Sequence, residues 1–224
     1  YKITPNNLYN MDKKGVQLGV GKRTWALVDQ DQKSVHQLEN GDRELVTVTE
    51  AVSADGEALL PSVIFKAKRR NLAWAENNPC HASISISPNG WTDMDLGLKW
   101  LMYDFHPASA KHNTSDGWRM LILDGHNSHC SYPFVDFCEK HQIVLLCLLS
   151  HTTHQLQPCD VGVFGPLASS WKLEVNRASK ENVAITKYNV LNVYAQARTR
   201  AFTSSTIQSA FRKTGIWPFD PSVI

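Results

Sequence analysis

Two apolar runs restrict this chain's architecture more than any other feature. Met120-Leu121-Ile122-Leu123 ends abruptly at Asp124-Gly125-His126, and the run 143–149 ends at Ser150-His151. Neither run alternates with polar residues, as a strand with one wet face would, so both read as strands covered on both sides. The stretch 132–141 between them has the length of a short helix. Strand, helix and strand at this spacing require parallel strands joined by a right-handed crossover. The fold class that follows is α/β, and open α/β sheets bind ligands where polar residues stand at strand ends.

The rest of the chain supplies partners for these strands. Residues 8–11 read as a short strand ending at Asp12, followed by a polar loop or mobile hairpin carrying GVGKR and DQDQK. The Val- and Thr-rich stretch 44–52, the turn Ala54-Asp55-Gly56-Glu57 and the run LLPSVIFKA read as a hairpin. Residues 67–91 read as irregular. A helix starts at Thr92 with Asp93 and Asp95 in its first turn, where the dipole favours acids. Its apolar face is Met94, Leu98, Leu101, Met102 and Phe105. Helices follow near 160–179, 187–202 and 205–213, the last closed by Gly215 with Pro218 beyond. The expectation is a mixed five-stranded sheet flanked by helices, with strands near 8–12, 44–53, 58–66, 119–124 and 143–148. Three of them are expected to be antiparallel and two parallel.

Composition excludes several classes. Of 224 residues, 42% are apolar and 20% charged, which is globular rather than disordered. No apolar run is long enough for a transmembrane helix, and the opening YKITPNN is no signal peptide. Tyr1 stands where an initiator Met would, so the chain reads as opening within a longer protein. Five cysteines, none in a CxxC pair, argue against a disulfide framework or zinc site and for reduced intracellular thiols. A formal charge of +2 does not by itself mark a nucleic-acid binder, although a local basic patch could serve.

Three aspartates stand out by position: Asp12, Asp124 and Asp160. Each alone reads as a turn former or helix cap. Converging at one sheet edge, they would form a hard-oxygen site suited to Mg²⁺ or Mn²⁺. Two such ions can activate an attacking oxygen and stabilise a leaving one in phosphodiester displacement.

Several segments carry a resemblance: Tyr9-Asn10-Met11-Asp12, Ser87-Pro88-Asn89-Gly90-Trp91-Thr92, LILDGHNSH (121–129), HTTHQLQPCDVGVFGPL (151–167) and AFTSSTIQSAFRKTGIWPFDP (201–221). In this order they resemble the catalytic domain of DDE-type transposases of the pogo, Tigger and jerky group, within the mariner superfamily. Thirty-five residues separate Asp124 from Asp160, similar to that family's spacing.

The resemblance implies a ribonuclease H-like fold and a single catalytic domain over residues 1–224. It implies that the helix-turn-helix DNA-binding modules such proteins carry ahead of it are absent here. Asp12, Asp124 and Asp160 would hold two Mg²⁺ or Mn²⁺ ions, assembled together with DNA. The activity implied is cleavage at transposon ends and joining of the freed 3′-OH to target DNA. The partners implied are those two DNAs and a second copy in an active homodimer, with no membrane, in the nucleus. A second reading is a domesticated, non-catalytic nuclear DNA-binding protein like centromere protein B or the jerky proteins. A true ribonuclease H is a third, against which the LQPCDVGVFGPL stretch argues.

Other residues carry paired readings. His126 and His129 orient a carboxylate or contact phosphate, or else cap loops together with His151 and His154; a four-histidine metal site is a further alternative. Asn127 binds phosphate or forms the turn. Lys13 and Lys14, where relatives have an acidic and a small residue, weaken metal binding or touch phosphate. Lys66, Lys68, Arg69 and Arg70, like Lys22 and Arg23 beside Trp25, are solvated loops or DNA-backbone contacts.

Overall fold

Six strands form one sheet in the order β4-β3-β2-β1-β5-β6 in the computed structural model, which describes residues 1–19, 44–125, 131–149 and 152–223. They are β1 (Leu8–Gln17), β2 (Leu45–Ser53), β3 (Ser62–Lys66), β4 (Ser83–Ser87), β5 (Arg119–Asp124) and β6 (Ile143–Leu148). β2 pairs antiparallel with β1 and with β3. β5 runs parallel between β1 and β6, joined to β6 through α3 (Tyr132–Lys140), as the two apolar runs require.

Side chains alternate across the sheet and separate two cores. Leu8, Val16, Val48, Val52 and Ile122 face one layer, which contains α5 (Phe164–Lys180), α6 (Val190–Ala201) and α7 (Ser204–Lys213). Tyr9, Met11, Ala51, Leu121 and Leu123 face the other, with Trp100, Leu101, Phe105 and Phe134. β5 therefore buries both faces, and its lack of alternation has this cause; β6, the edge strand, is not covered on both sides as its apolar run suggested, and Leu146 and Leu149 are exposed.

Three more expectations are corrected. The sheet has six strands, not five: Ser83–Ser87, within the stretch read as irregular, is a strand parallel to β3. Its Ser-Ile-Ser-Ile-Ser alternation is the signal of a strand, with Ile84 and Ile86 against one core. Ser83 Oγ meets Ser62 Oγ at 2.8 Å and Asp104 Oδ2 at 2.9 Å on the opposite side.

The first strand does not end at Asp12 but continues to Gln17, paired rung by rung with β2. The helix from Asp93, whose carboxylate caps Leu96 N at 2.8 Å, is not one amphipathic face. Between α1 (Met94–Trp100) and α2 (His106–His112), residues Leu101–Phe105 form a π-helical turn in which His106 N donates to Leu101 O. The wider turn rotates the inward face, so Trp100, Leu101 and Phe105 are buried while Met94 is exposed.

Candidate metal and phosphate site

Asp12 and Asp124 stand on neighbouring parallel strands. The β1–β5 ladder ends at the pair Asn10–Ile122, and each aspartate lies two residues beyond it on its own strand. Period-two alternation therefore places both carboxylates on the face of Ile122, under α5 and α7. Asp160 comes to that face from a π-helical turn, Cys159–Val163, that leads into α5 and buries Cys159 and Val163. It is preceded by α4 (Thr153–Leu156), where a loop was expected. Asp160 is not the cap of this segment: Pro158 holds that position, with no side-chain cap bond, and Asp160 lies within the turn.

The carboxylates interact. Burial raises the Asp12 carboxyl to about 7; the negative charge and hydrogen bond of Asp160 and the charge of Asp124 push the same way. The Lys13 N–H, donating to Asp12 Oδ1 at 2.7 Å, opposes them. Acids arranged so that their like charges oppose ionisation form a site that a cation would relieve. Every donor is a carboxylate oxygen, which fits Mg²⁺ or Mn²⁺. Among the described residues, however, no three His, Cys, Asp or Glu side chains come close enough to cage an ion. Asp124 and Asp160 thus act on the Asp12 carboxyl without the three closing into a coordination sphere.

The two lysines after Asp12 part company. Lys14 shares its face and lies with Nζ 5.3 Å from the centre of the Phe164 ring, one turn beyond Asp160. Lys13 lines a cavity of about 320 Å³ with Met11, Thr49, Trp100 and Asp104, beneath α1 on the opposite face. Burial lowers the Lys13 ammonium, while Asp124 and Asp12 raise it.

Lys66, Lys68, Arg69 and Arg70 are exposed at and beyond the end of β3. β3 is two strands from β1, roughly 10 Å at about 4.8 Å per strand, yet Arg70 reaches back to line the cavity that Lys13 lines. His154 is exposed on α4. Lys22, Arg23, Trp25, His126, Asn127, His129 and His151 lie outside the described residues.

Three residues that the sequence reading passed over surround the cluster. Asn10, 0% exposed, donates through Nδ2 to Ile122 O at 3.1 Å and accepts at Oδ1 from Cys159 N at 2.8 Å. Glu50 stands opposite Asp12 in the β1–β2 register but is occupied by Arg198 at 2.8 and 3.0 Å and by Tyr194 at 2.6 Å. A lone acid in a Val- and Thr-rich strand was the available signal for it. Gln157, 1% exposed and three residues before Asp160, has neither amide atom partnered among the described residues.

Residues 42–211, well over half the chain, match the family model of the DDE superfamily endonucleases. The chain belongs to this family. Within the DDE match lie Asp124 and Asp160, while Asp12 precedes it. A curated relative, "MFS-type transporter clz9" of Cochliobolus lunatus, is 31% identical over 227 residues, covering all of this chain. The chain spans only 24% of that protein's length. No helix among the described residues is long and apolar enough to cross a membrane.

Among solved structures, the Mos1 mariner paired end complex with Mn matches with a TM-score of 0.60 at 12% identity, over 94% of this chain and 53% of that one. The Mos1 paired end complex with Mg matches at 0.57 and 14%, over 97% and 57%. At such identities the likeness is one of fold, and it establishes the ribonuclease H-like sheet flanked by helices for this DDE chain.

Proposed function

We propose that this domain is the catalytic part of a pogo-group transposase. It would cut transposon ends by metal-dependent phosphodiester hydrolysis and join them to target DNA by transesterification. The observation that supports the reading is that Asp12 and Asp124 stand on adjacent parallel strands and that Asp160, in a helix-entry turn, bears on the Asp12 carboxyl by charge and hydrogen bond. Membership of an endonuclease family, and relatives of this fold crystallised with Mn and with Mg, support it.

Bound Mg²⁺ or Mn²⁺ would activate the attacking oxygen and neutralise the leaving one. Asp12, Asp124 and Asp160 would hold the ions, and Lys14, on the same face, would meet a backbone phosphate of the DNA. The open cluster suits ions that enter with substrate, since Mg²⁺ takes one or two carboxylates plus phosphates and water. The single domain, the transposon-end and target partners, the active homodimer and the nuclear location belong to the same proposal.

The reading is tested by Mn²⁺ titration of the full chain with and without a transposon-end duplex, alongside Mn²⁺-dependent nicking, for wild type, Asp124→Asn and Asp160→Asn. We expect DNA to tighten Mn²⁺ binding and both variants to stop nicking while remaining folded. Wild-type protein that binds no Mn²⁺ even with DNA would overturn it. One observation favours the non-catalytic alternative: the Lys13 ammonium senses both Asp124 and Asp12 and could serve as a built-in counter-cation. Under that alternative, Lys13→Gln would create Mn²⁺ binding that the wild type lacks.

A further inference from the structure

One side chain touches the chain immediately ahead of all three aspartates. Asn10 is two residues before Asp12; it donates to the carbonyl of Ile122, two residues before Asp124, and accepts from the N–H of Cys159, the residue before Asp160. A longer contact at 3.4 Å reaches Met11 O. Its partners lie 112 and 149 residues away in the chain, and the amide is wholly buried. The β1–β5 ladder stops at the Asn10–Ile122 pair, so this amide is a side-chain tie across the strands just before the aspartates. It also ties the Cys159 turn to the central strand β1, reinforced by Cys159 Sγ at 3.9 Å from Asn10 O.

We propose that Asn10 is the positioning residue of the metal site: a single amide that sets the spacing of the three carboxylates by pinning their backbones to one another. This rests on the metal-site reading above. The chemistry requires an amide. A side chain at this place must donate to a carbonyl on one side and accept from an N–H on the other, with no charge of its own beside three acids. Asp offers no donor when ionised, Leu offers neither group, and Ser is too short to reach both partners.

The test uses the full chain with a transposon-end duplex and compares wild type, Asn10→Leu and Asn10→Ser, with Asn10→Ser covering the case in which the leucine variant fails to fold. Mn²⁺ affinity is read by electron paramagnetic resonance, melting temperature separately, and nicking with Mg²⁺ against Mn²⁺. Groups that orient metal ligands typically contribute about 10–100-fold in metal affinity, and we expect a loss of that order in folded variants. We also expect Mg²⁺-supported nicking to fall further than Mn²⁺-supported nicking, because Mg²⁺ demands near-ideal octahedral geometry. In an Asp160→Asn background, Asn10→Ser should weaken Mn²⁺ binding less than it does in the wild type, since one of the three carboxylates it positions is gone. A folded Asn10 variant with wild-type Mn²⁺ affinity and an unchanged metal preference, whatever its melting temperature, overturns the positioning role. If the wild type itself binds no Mn²⁺ with DNA, the metal-site reading fails instead, and the two failures are distinguished.

Discussion

Replacing Gly162 with alanine tests how firmly α7 holds the turn that carries Asp160. A Cβ at position 162 would stand 2.5 Å from Ala210 Cβ and 2.7 Å from Ala210 Cα. Ordinary carbon contacts lie at about 3.5–4.0 Å, so the turn and α7 must separate by roughly 1 Å. The atoms met belong to a small residue and its backbone, and no flexible side-chain end can yield. Ala210 is fully buried between Ile207 and Phe211, which are buried too. Overpacking of this kind costs about 1–3 kcal/mol. At about 2–4 °C per kcal/mol for a domain of this size, the melting temperature should fall by roughly 2–12 °C. Ala210→Gly alone removes helix propensity worth about 1 kcal/mol but also removes the nearer of the two clashing atoms. The double variant should therefore be more stable than the sum of the singles implies, with a coupling of at least about 0.5 kcal/mol. Urea denaturation of all four proteins measures this cycle. A Gly162→Ala protein within about 0.5 kcal/mol of wild type, with additive double-variant behaviour, would falsify the close approach as the reason for glycine here.

Three further outcomes follow from named contacts. Arg198→Leu leaves Glu50 fully buried with, among the described residues, only the Tyr194 hydroxyl as partner; breaking a buried pair from one side costs about 3–5 kcal/mol, and a denaturation midpoint close to wild type would refute the pairing. Gln157→Met removes two buried amide atoms that have no partner among the described residues, so stability should rise by about 1 kcal/mol; a loss of stability would mean the amide is satisfied. His106 Nδ1 lies 3.1 Å from the Arg119 guanidinium, which only donates, so the ring is neutral in the folded chain. Burial first, then Arg119 and His141, hold His106 below its ordinary pKa of about 6.5. The unfolded chain therefore takes up this proton first: stability is intact above that pH, declines as pH falls below it, and levels off beneath the folded value. His106→Gln should remove that part of the decline, and an unchanged stability-versus-pH curve would count against the contact.

What local sequence determined is clearest in β5, β6 and the C-terminal helices. The helix between the two apolar runs forces parallel pairing and a crossover; coverage on both faces holds for β5 but not for β6, which is the edge strand and leaves Leu146 44% exposed. Gly215, at a φ of 65°, marks the end of α7 as its composition implied. The three aspartates could be picked out because strand ends and the LDGHNSH and QLQPCD stretches set them apart. β4 was legible in its Ser–Ile alternation, but five residues with three serines carry too little apolar surface to outweigh an irregular reading. Parallel pairing with β3 and a seat for Ser83 on Asp104 make it a strand. The π-helical turn at Leu101–Phe105 was invisible, because an i to i+3 and i+4 pattern presumes the regular turn that packing of Trp100 and Phe105 displaced. Only the tertiary structure shows that Lys13 and Lys14 face opposite sides, that Glu50 is consumed by Arg198, and that Asn10 binds the three aspartate-bearing segments together. Each of these depends on strand register or on partners more than a hundred residues away, and hydrogen bonds over such distances leave no periodic trace in the chain that makes them.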